Sequence, residues 1–93
     1  MGTKLLVIDD DPNICDLLKF YFENEGYEVK TANDGIEGLS YFKMYEPDLV
    51  LLDLMLPKNK DGNQVCREIR AISSKPIIMI TAKDEVLDKV VGL

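Results

Sequence analysis

Four side chains of this 93-residue sequence each stand just after a short apolar run, where a strand would end and a ligand could approach. Asp9 and Asp10 follow LLVI, Asp53 follows LVLL, and Thr81 follows PIIMI. If the first and third of these strands are neighbours, the three carboxylates meet. Like charges a few ångströms apart repel by about 1 kcal/mol or more each, even when well solvated, unless one is protonated or a cation intervenes. Magnesium suits such a set: it takes oxygen ligands, keeps several waters, and pairs one or two carboxylates with a phosphoryl oxygen. A carboxylate beside that ion has two chemical roles open to it, ligand and nucleophile toward phosphorus, and Asp53 can fill both. Attack by one of its oxygens on phosphorus gives an acyl phosphate, with the Thr81 hydroxyl donating to a phosphoryl oxygen. No imidazole base is needed, because a carboxylate is already ionised at pH 7.

The elements that must position these groups are legible from periodicity. Residues 4–8 (KLLVI) form a short buried strand that stops at Asp9-Asp10-Asp11-Pro12, where proline fits a first helical turn and carboxylates favour a helix N-terminus. Ile14, Leu17, Leu18, Tyr21 and Phe22 then share one helical face, and Gly26 is placed to end that helix in a left-handed conformation. YEVKTA at 27–32 alternates like a strand at the edge of a sheet. Asp34 and Glu37 form a capping-box-like start for a helix to about Tyr45, with Ile36, Leu39 and Phe42 inward and Pro47 closing the segment. DLVLLD at 48–53 is the most apolar strand, as expected of one covered on both faces. A loop MLPKNKDG leads to a third helix over about 62–72, with Val65, Ile69 and Ile72 on one stripe. Pro76 opens a strand at 76–80, and Asp84 caps a short fourth helix that Gly92 stops. This β-α-β-α-β-α-β-α order implies βαβ units and a parallel sheet covered on both faces.

Composition narrows the function classes. A 46% apolar and 30% charged chain of this length builds one small domain. Its longest apolar runs fall far short of a bilayer span, and MGTKLLVIDDD lacks the features of a secretory signal, so a cytoplasmic location is expected. The absence of histidine excludes imidazole-based zinc sites and Ser-His or Cys-His triads. Cys15 and Cys66 read as reduced thiols on inner helix faces. The net charge of −6 is uneven: residues 1–57 carry 12 acidic and 4 basic side chains, residues 58–93 carry 5 and 7. Such an acidic first half suits a divalent cation and not a nucleic acid. Taken singly, Asp-Asp-Asp-Pro is most often a helix cap, Asp53 a turn residue and Thr81 a cap. Their joint placement at three strand ends is what favours a site.

Together LLVIDDDP, ANDGIEGL, PDLVLLDLMLP, the Asp61-Gly62 pair, VCREIR, PIIMITA and DKVVGL resemble the receiver domain of two-component response regulators, in order and over essentially the whole chain. With MITAKDE before it, DKVVGL looks most like the OmpR/PhoB subfamily, which carries a C-terminal winged-helix DNA-binding domain. The resemblance implies a three-layer, flavodoxin-like (CheY-like) parallel sheet of order 2-1-3-4-5. It also implies Asp53 as phospho-acceptor, Asp10 as direct Mg²⁺ ligand, and Asp9 as second acidic position acting through a metal-bound water. Met55 would offer a backbone carbonyl to the metal, Thr81 would be the switch hydroxyl, and the small Ala82 would leave the phosphoryl group room. The implied donor is a sensor histidine kinase. DNA would be met only through an attached effector domain, and catalysis would be limited to the domain's own phosphorylation and dephosphorylation.

Two departures from the family pattern bear on these expectations. KNK, between Pro57 and Asp61, reads as a one-residue insertion that should produce a local bulge without loss of chemistry. The family continues into a fifth strand with a lysine-proline pair and a switch aromatic, which this chain does not reach. No lysine here, including Lys75 and Lys83, matches that position. Residues 1–93 therefore read as a receiver domain lacking its last strand and helix, with order 2-1-3-4. The apolar edge left at PIIMI predicts a homodimer, a complemented fragment or marginal stability, the alternative being that the protein continues beyond residue 93. Two other function classes compete. A Mg²⁺-dependent phosphohydrolase with an aspartate nucleophile ranks low, because Leu54 and Met55 follow Asp53 where a second carboxylate would act. A non-phosphorylated structural or inhibitory fragment is the third reading.

Overall fold

A computed structural model of the protein describes residues 2–80; Thr81, Ala82, Lys83 and the expected fourth helix from Asp84 lie outside the described residues. The described elements are β1 (Lys4–Ile8), α1 (Pro12–Asn24), β2 (Glu28–Ala32), α2 (Gly35–Tyr45), β3 (Leu49–Asp53), α3 (Gly62–Arg70) and β4 (Ile77–Ile80). All strand pairs are parallel and the sheet order is β2-β1-β3-β4, so β2 is an edge strand as its alternation predicts, and β3 is interior.

Each helix begins on an aspartate that accepts from a backbone N–H of the first turn: Asp11 from Asn13 at 2.9 Å, Asp34 from Glu37 at 2.8 Å and Asp61 from Gln64 at 2.9 Å. Pro12 occupies the first turn of α1, where its missing N–H costs nothing. Gly26, at φ 96, turns the chain out of α1 as expected. At the end of α2 the left-handed position falls on Glu46, φ 53, immediately before Pro47, with no glycine to announce it.

Right-handed crossovers decide the layering. The step from β1 to β2 runs one way across the sheet and the steps from β2 to β3 to β4 run the other, which puts α1 on one face and α2 with α3 on the opposite one. The two cores follow. Leu6, Ile8, Val50 and Leu52 pack with Leu39, Phe42, Val65 and Ile69, whereas Leu5, Val7 and Leu51 pack with Cys15, Leu18 and Phe22. Strand alternation sends neighbouring residues to opposite cores, and each fully buried leucine or isoleucine contributes about 1.5–3 kcal/mol.

Four side chains expected inside are more than half exposed: Leu17 and Tyr21 on α1, Ile36 on α2, and Ile72. On α1 the inward stripe is Cys15, Leu18 and Phe22, rotated from the apolar face the sequence advertises. Ile36 lies in the first turn of α2, ahead of the sheet, and Ile72 falls past the end of α3 at Arg70. Both thiols are free: Cys15 is buried, and Cys66 is partly buried against the α2–α3 core.

Candidate metal and phosphoryl site

Strand order reverses between β1 and β3, and the crevice beyond the carboxyl ends of such a pair is where open α/β sheets bind ligands. Register carries the two chain segments there in step: Ile8 pairs with Leu52, so Asp9 and Asp53 follow side by side. Asp9, Asp10 and Asp53 each offer a carboxylate oxygen, and these oxygens lie within 4.8 Å of one another. The sequence-predicted trio is thus brought together by adjacent strands 44 residues apart.

Asp9 and Asp53 are each 1% exposed, whereas Asp10 is exposed. One oxygen of each buried carboxylate is held locally: Asp9 Oδ1 accepts from the Asp11 N–H and Asp53 Oδ1 from the Met55 N–H, both at 2.9 Å. Asp9 Oδ2 is buried and has no hydrogen-bond partner among the described residues. An unsatisfied buried carboxylate oxygen is costly, and its cost appears in the acid strength: burial first, then the negative charges of Asp53, Asp10 and Asp11, push the Asp9 carboxyl up to about 6. Burial, with Asp9 beside it, also pushes the Cys15 thiol up to about 11, so that it stays a protonated donor at neutral pH.

Close backbone approach completes the floor of the site. A Cβ on Gly62, the first residue of α3, would meet the Asp53 carbonyl oxygen at 2.5 Å and Leu54 Cα at 2.6 Å, so glycine lets α3 seat directly against the end of β3. The KNK stretch folds back on α2: Asn59 Oδ1 accepts from the Ile36 N–H at 3.1 Å and from the Lys60 N–H at 2.8 Å. Lys60 pairs with Glu68 at 2.7 Å.

Met55 lies in the turn after β3, anchored through its N–H to Asp53. Two residues that the sequence reading placed in motifs but gave no role at the site border the cluster. Asn33 follows β2 and donates through Nδ2 to the Asp9 carbonyl at 3.1 Å, and Gly62 supports the Asp53 backbone. Asn33 was discoverable by the rule that flagged the others, since it stands just past the carboxyl end of β2; it carries no charge and sits inside a capping motif, which masked it.

A doubly covered parallel α/β sheet with an acidic cluster at its switch point is the flavodoxin-like class of receiver folds. The model of the response regulator receiver domain matches residues 5–93, and the chain belongs to that family. Among solved structures it is similar to the BeF₃-activated N-terminal receiver domain of RstA from Klebsiella pneumoniae, at 32% identity and TM-score 0.83, covering 92% of this chain and 73% of that one. The receiver domain of the Francisella response regulator 1452 is 31% identical, with TM-score 0.81 and coverage of 96% and 74%. The N-terminal domain of a response regulator/sensory box/GGDEF three-domain protein from Carboxydothermus hydrogenoformans is 28% identical, with TM-score 0.84 and coverage of 96% and 70%. Among the described residues no helix is long and apolar enough to cross a membrane.

Proposed function

We propose that this receiver domain accepts a phosphoryl group on Asp53 from a sensor histidine kinase, in a Mg²⁺-dependent step of cytoplasmic phosphorelay signalling. The observation that carries the reading is the trio Asp9, Asp10 and Asp53 with oxygens within 4.8 Å and the buried Asp9 Oδ2 left without a partner among the described residues. A site of oxygen donors alone with excess negative charge fits a hard divalent cation. Asp10 and Asp53 would hold Mg²⁺ directly, with the Met55 backbone carbonyl, and Asp9 through a bound water. When bound, the ion neutralises charge on the transferring phosphoryl group and on the carboxylates around it.

The chain's own residues do the rest. Asp53 attacks phosphorus with one carboxylate oxygen, the new O–P bond forming as the donor's bond to phosphorus breaks, which leaves an acyl phosphate on Asp53. Water later cleaves that bond. The Met55 N–H holds the nucleophile's Oδ1 in place, and Thr81 is assigned the switch hydroxyl that donates to a phosphoryl oxygen. Residues 1–93 belong to one receiver domain, whose catalysis is confined to its own phosphorylation and dephosphorylation. Its output reaches DNA through an attached winged-helix effector domain of the OmpR/PhoB kind.

Incubation with acetyl phosphate and MgCl₂ followed by intact mass spectrometry tests this. The expected result is the gain of a single phosphoryl group, lost in Asp53→Asn and in EDTA. Retention of the gain in Asp53→Asn overturns the assignment, and multiple turnover of phosphate esters points instead to a phosphohydrolase.

A further inference from the structure

The backbone around Asp9 is held from outside its own strand. Its N–H donates to the Ala32 carbonyl at 3.0 Å, the last rung between β1 and β2. Beyond that rung β2 turns away toward α2, and the Asp9 carbonyl has no strand partner left. Two side chains replace one: Asn33 Nδ2 donates to it at 3.1 Å and Cys15 Sγ at 3.4 Å, and Asn33 Nδ2 also reaches Cys15 Sγ at 3.5 Å. Asn33 is itself fastened, because its N–H donates to Glu37 Oε1 at 2.8 Å while Asp34 caps the Glu37 N–H.

The peptide joining Asp9 to Asp10 is planar, so fixing the direction of its carbonyl fixes the direction in which the chain enters Asp10. That matters for Asp10 in particular. Its side chain is exposed, and among the described residues no hydrogen bond orients its carboxylate, so the position and direction of the backbone entering Asp10 set which rotamers bring that carboxylate within reach of Asp9 and Asp53. Groups that orient metal ligands from outside the ligand set are worth about 10–100-fold in affinity.

We propose that Asn33 is a positioning residue of the acidic site: its side-chain amide locks the Asp9–Asp10 peptide and thereby holds the Asp10 carboxylate in register for a divalent cation. The inference rests on the reading of the trio as a Mg²⁺ site. It also ties the capped N-terminus of α2 to that site through one side chain.

Calorimetric titration of the 93-residue chain with MgCl₂ tests it, on wild type, Asp10→Ala, Asn33→Ala, Asn33→Leu and Asn33→Gln. Asn33→Leu keeps the volume without the donor, and Asn33→Gln keeps the amide. Asn33→Ala and Asn33→Leu are expected to bind Mg²⁺ about tenfold more weakly, with Asn33→Gln recovering most of the loss. In metal-free protein the ¹⁵N–¹H resonance of the Asp10 amide should shift in the first two and return toward wild type in the third. Wild-type affinity in Asn33→Ala and Asn33→Leu, or an equal loss in Asn33→Gln, overturns the inference. Mg²⁺ uptake that depends on Asp10 but not on Asn33 overturns it alone, whereas a wild-type chain that takes up no Mg²⁺ overturns the site reading with it.

Discussion

The two ends of the sheet treat their charges in opposite ways. At the amino end, Asp48 Oδ2 accepts from the Lys4 N–H at 2.9 Å and Asp48 Oδ1 faces Lys75 Nζ at 3.5 Å, while Lys4 Nζ donates to the Tyr45 carbonyl at 3.2 Å. The hydrogen bond from Lys4 holds the Asp48 carboxyl below the usual carboxylate range. At the carboxyl end, Asp9 is buried among like charges with one oxygen unpartnered among the described residues, and its carboxyl is pushed up to about 6. A cleft of about 530 Å³ opens at the amino end, lined in part by Lys4, Phe42, Pro47, Asp48, Ile72 and Lys75, and the Asp48 carboxylate there already meets both Lys4 and Lys75. Volume does not separate the two ends, since a cleft of about 440 Å³ also follows β3, lined by Leu54, Met55, Leu56, Pro57, Asp61 and Asn63; unmet electrostatics does. The unmet end is the one that has something to gain from a ligand.

Substitutions at the two ends should separate accordingly, and the largest effect is steric. Gly62→Ala drives a methyl group into the backbone of Asp53 and Leu54, so it should cost about 3 kcal/mol in urea unfolding. A wild-type midpoint would show that α3 does not seat against the end of β3. Next, Asp10→Ala should weaken Mg²⁺ binding by about 100-fold or more, whereas Asp48→Ala at the other end should leave it unchanged; calorimetric titration of both variants reads the contrast directly.

Asp9→Asn probes the electrostatic penalty itself. Because the folded-state carboxyl is raised above its ordinary 3.8 to about 6, its contribution is fully present below about pH 4 and is lost as pH rises through about 6. Metal-free wild type should therefore lose on the order of 2–3 kcal/mol across that window relative to Asp9→Asn. At pH 7.5 in EDTA the variant should melt on the order of 10 °C higher, and excess Mg²⁺ should close or reverse the gap, since the ion stabilises only a site that binds it. Asp48 has the opposite sign: its contribution is present above the ordinary carboxylate range and lost as pH falls. The smallest effect is expected at Lys60–Glu68, a partly exposed pair. Lys60→Met should change stability by less than about 1 kcal/mol, measured by thermal melting in low and high salt.

Much of this architecture is legible in one dimension. The strand and helix spans follow from apolar runs and aspartate caps, because both depend on contacts within a few residues. The acidic trio follows from a single further rule, that ligands gather at strand ends. Leu17, Tyr21, Ile36 and Ile72 show where that reading stops: each satisfies a helical period, but which face of α1 meets the sheet, and where α2 and α3 overhang it, depend on the packing angle of one element on another. Asn33 shows the same limit within the site. Its residue type and its place in a capping motif describe a turn, and only the rung from Asp9 to Ala32 brings it against the Asp9 carbonyl.

Local chemistry in the chain was thus sufficient to specify a parallel α/β sheet, aspartate-led starts for α1 and α2, and a candidate trio of Asp9, Asp10 and Asp53. Folding added what sequence separation hides. The parallel register of β1 with β3 sets Asp9 beside Asp53, burial leaves Asp9 Oδ2 without a partner among the described residues, and Gly62 lets α3 close on the backbone beneath Asp53. Each of these is a contact between segments distant along the chain, and its energy exists only once the sheet has been assembled and water excluded from its carboxyl edge.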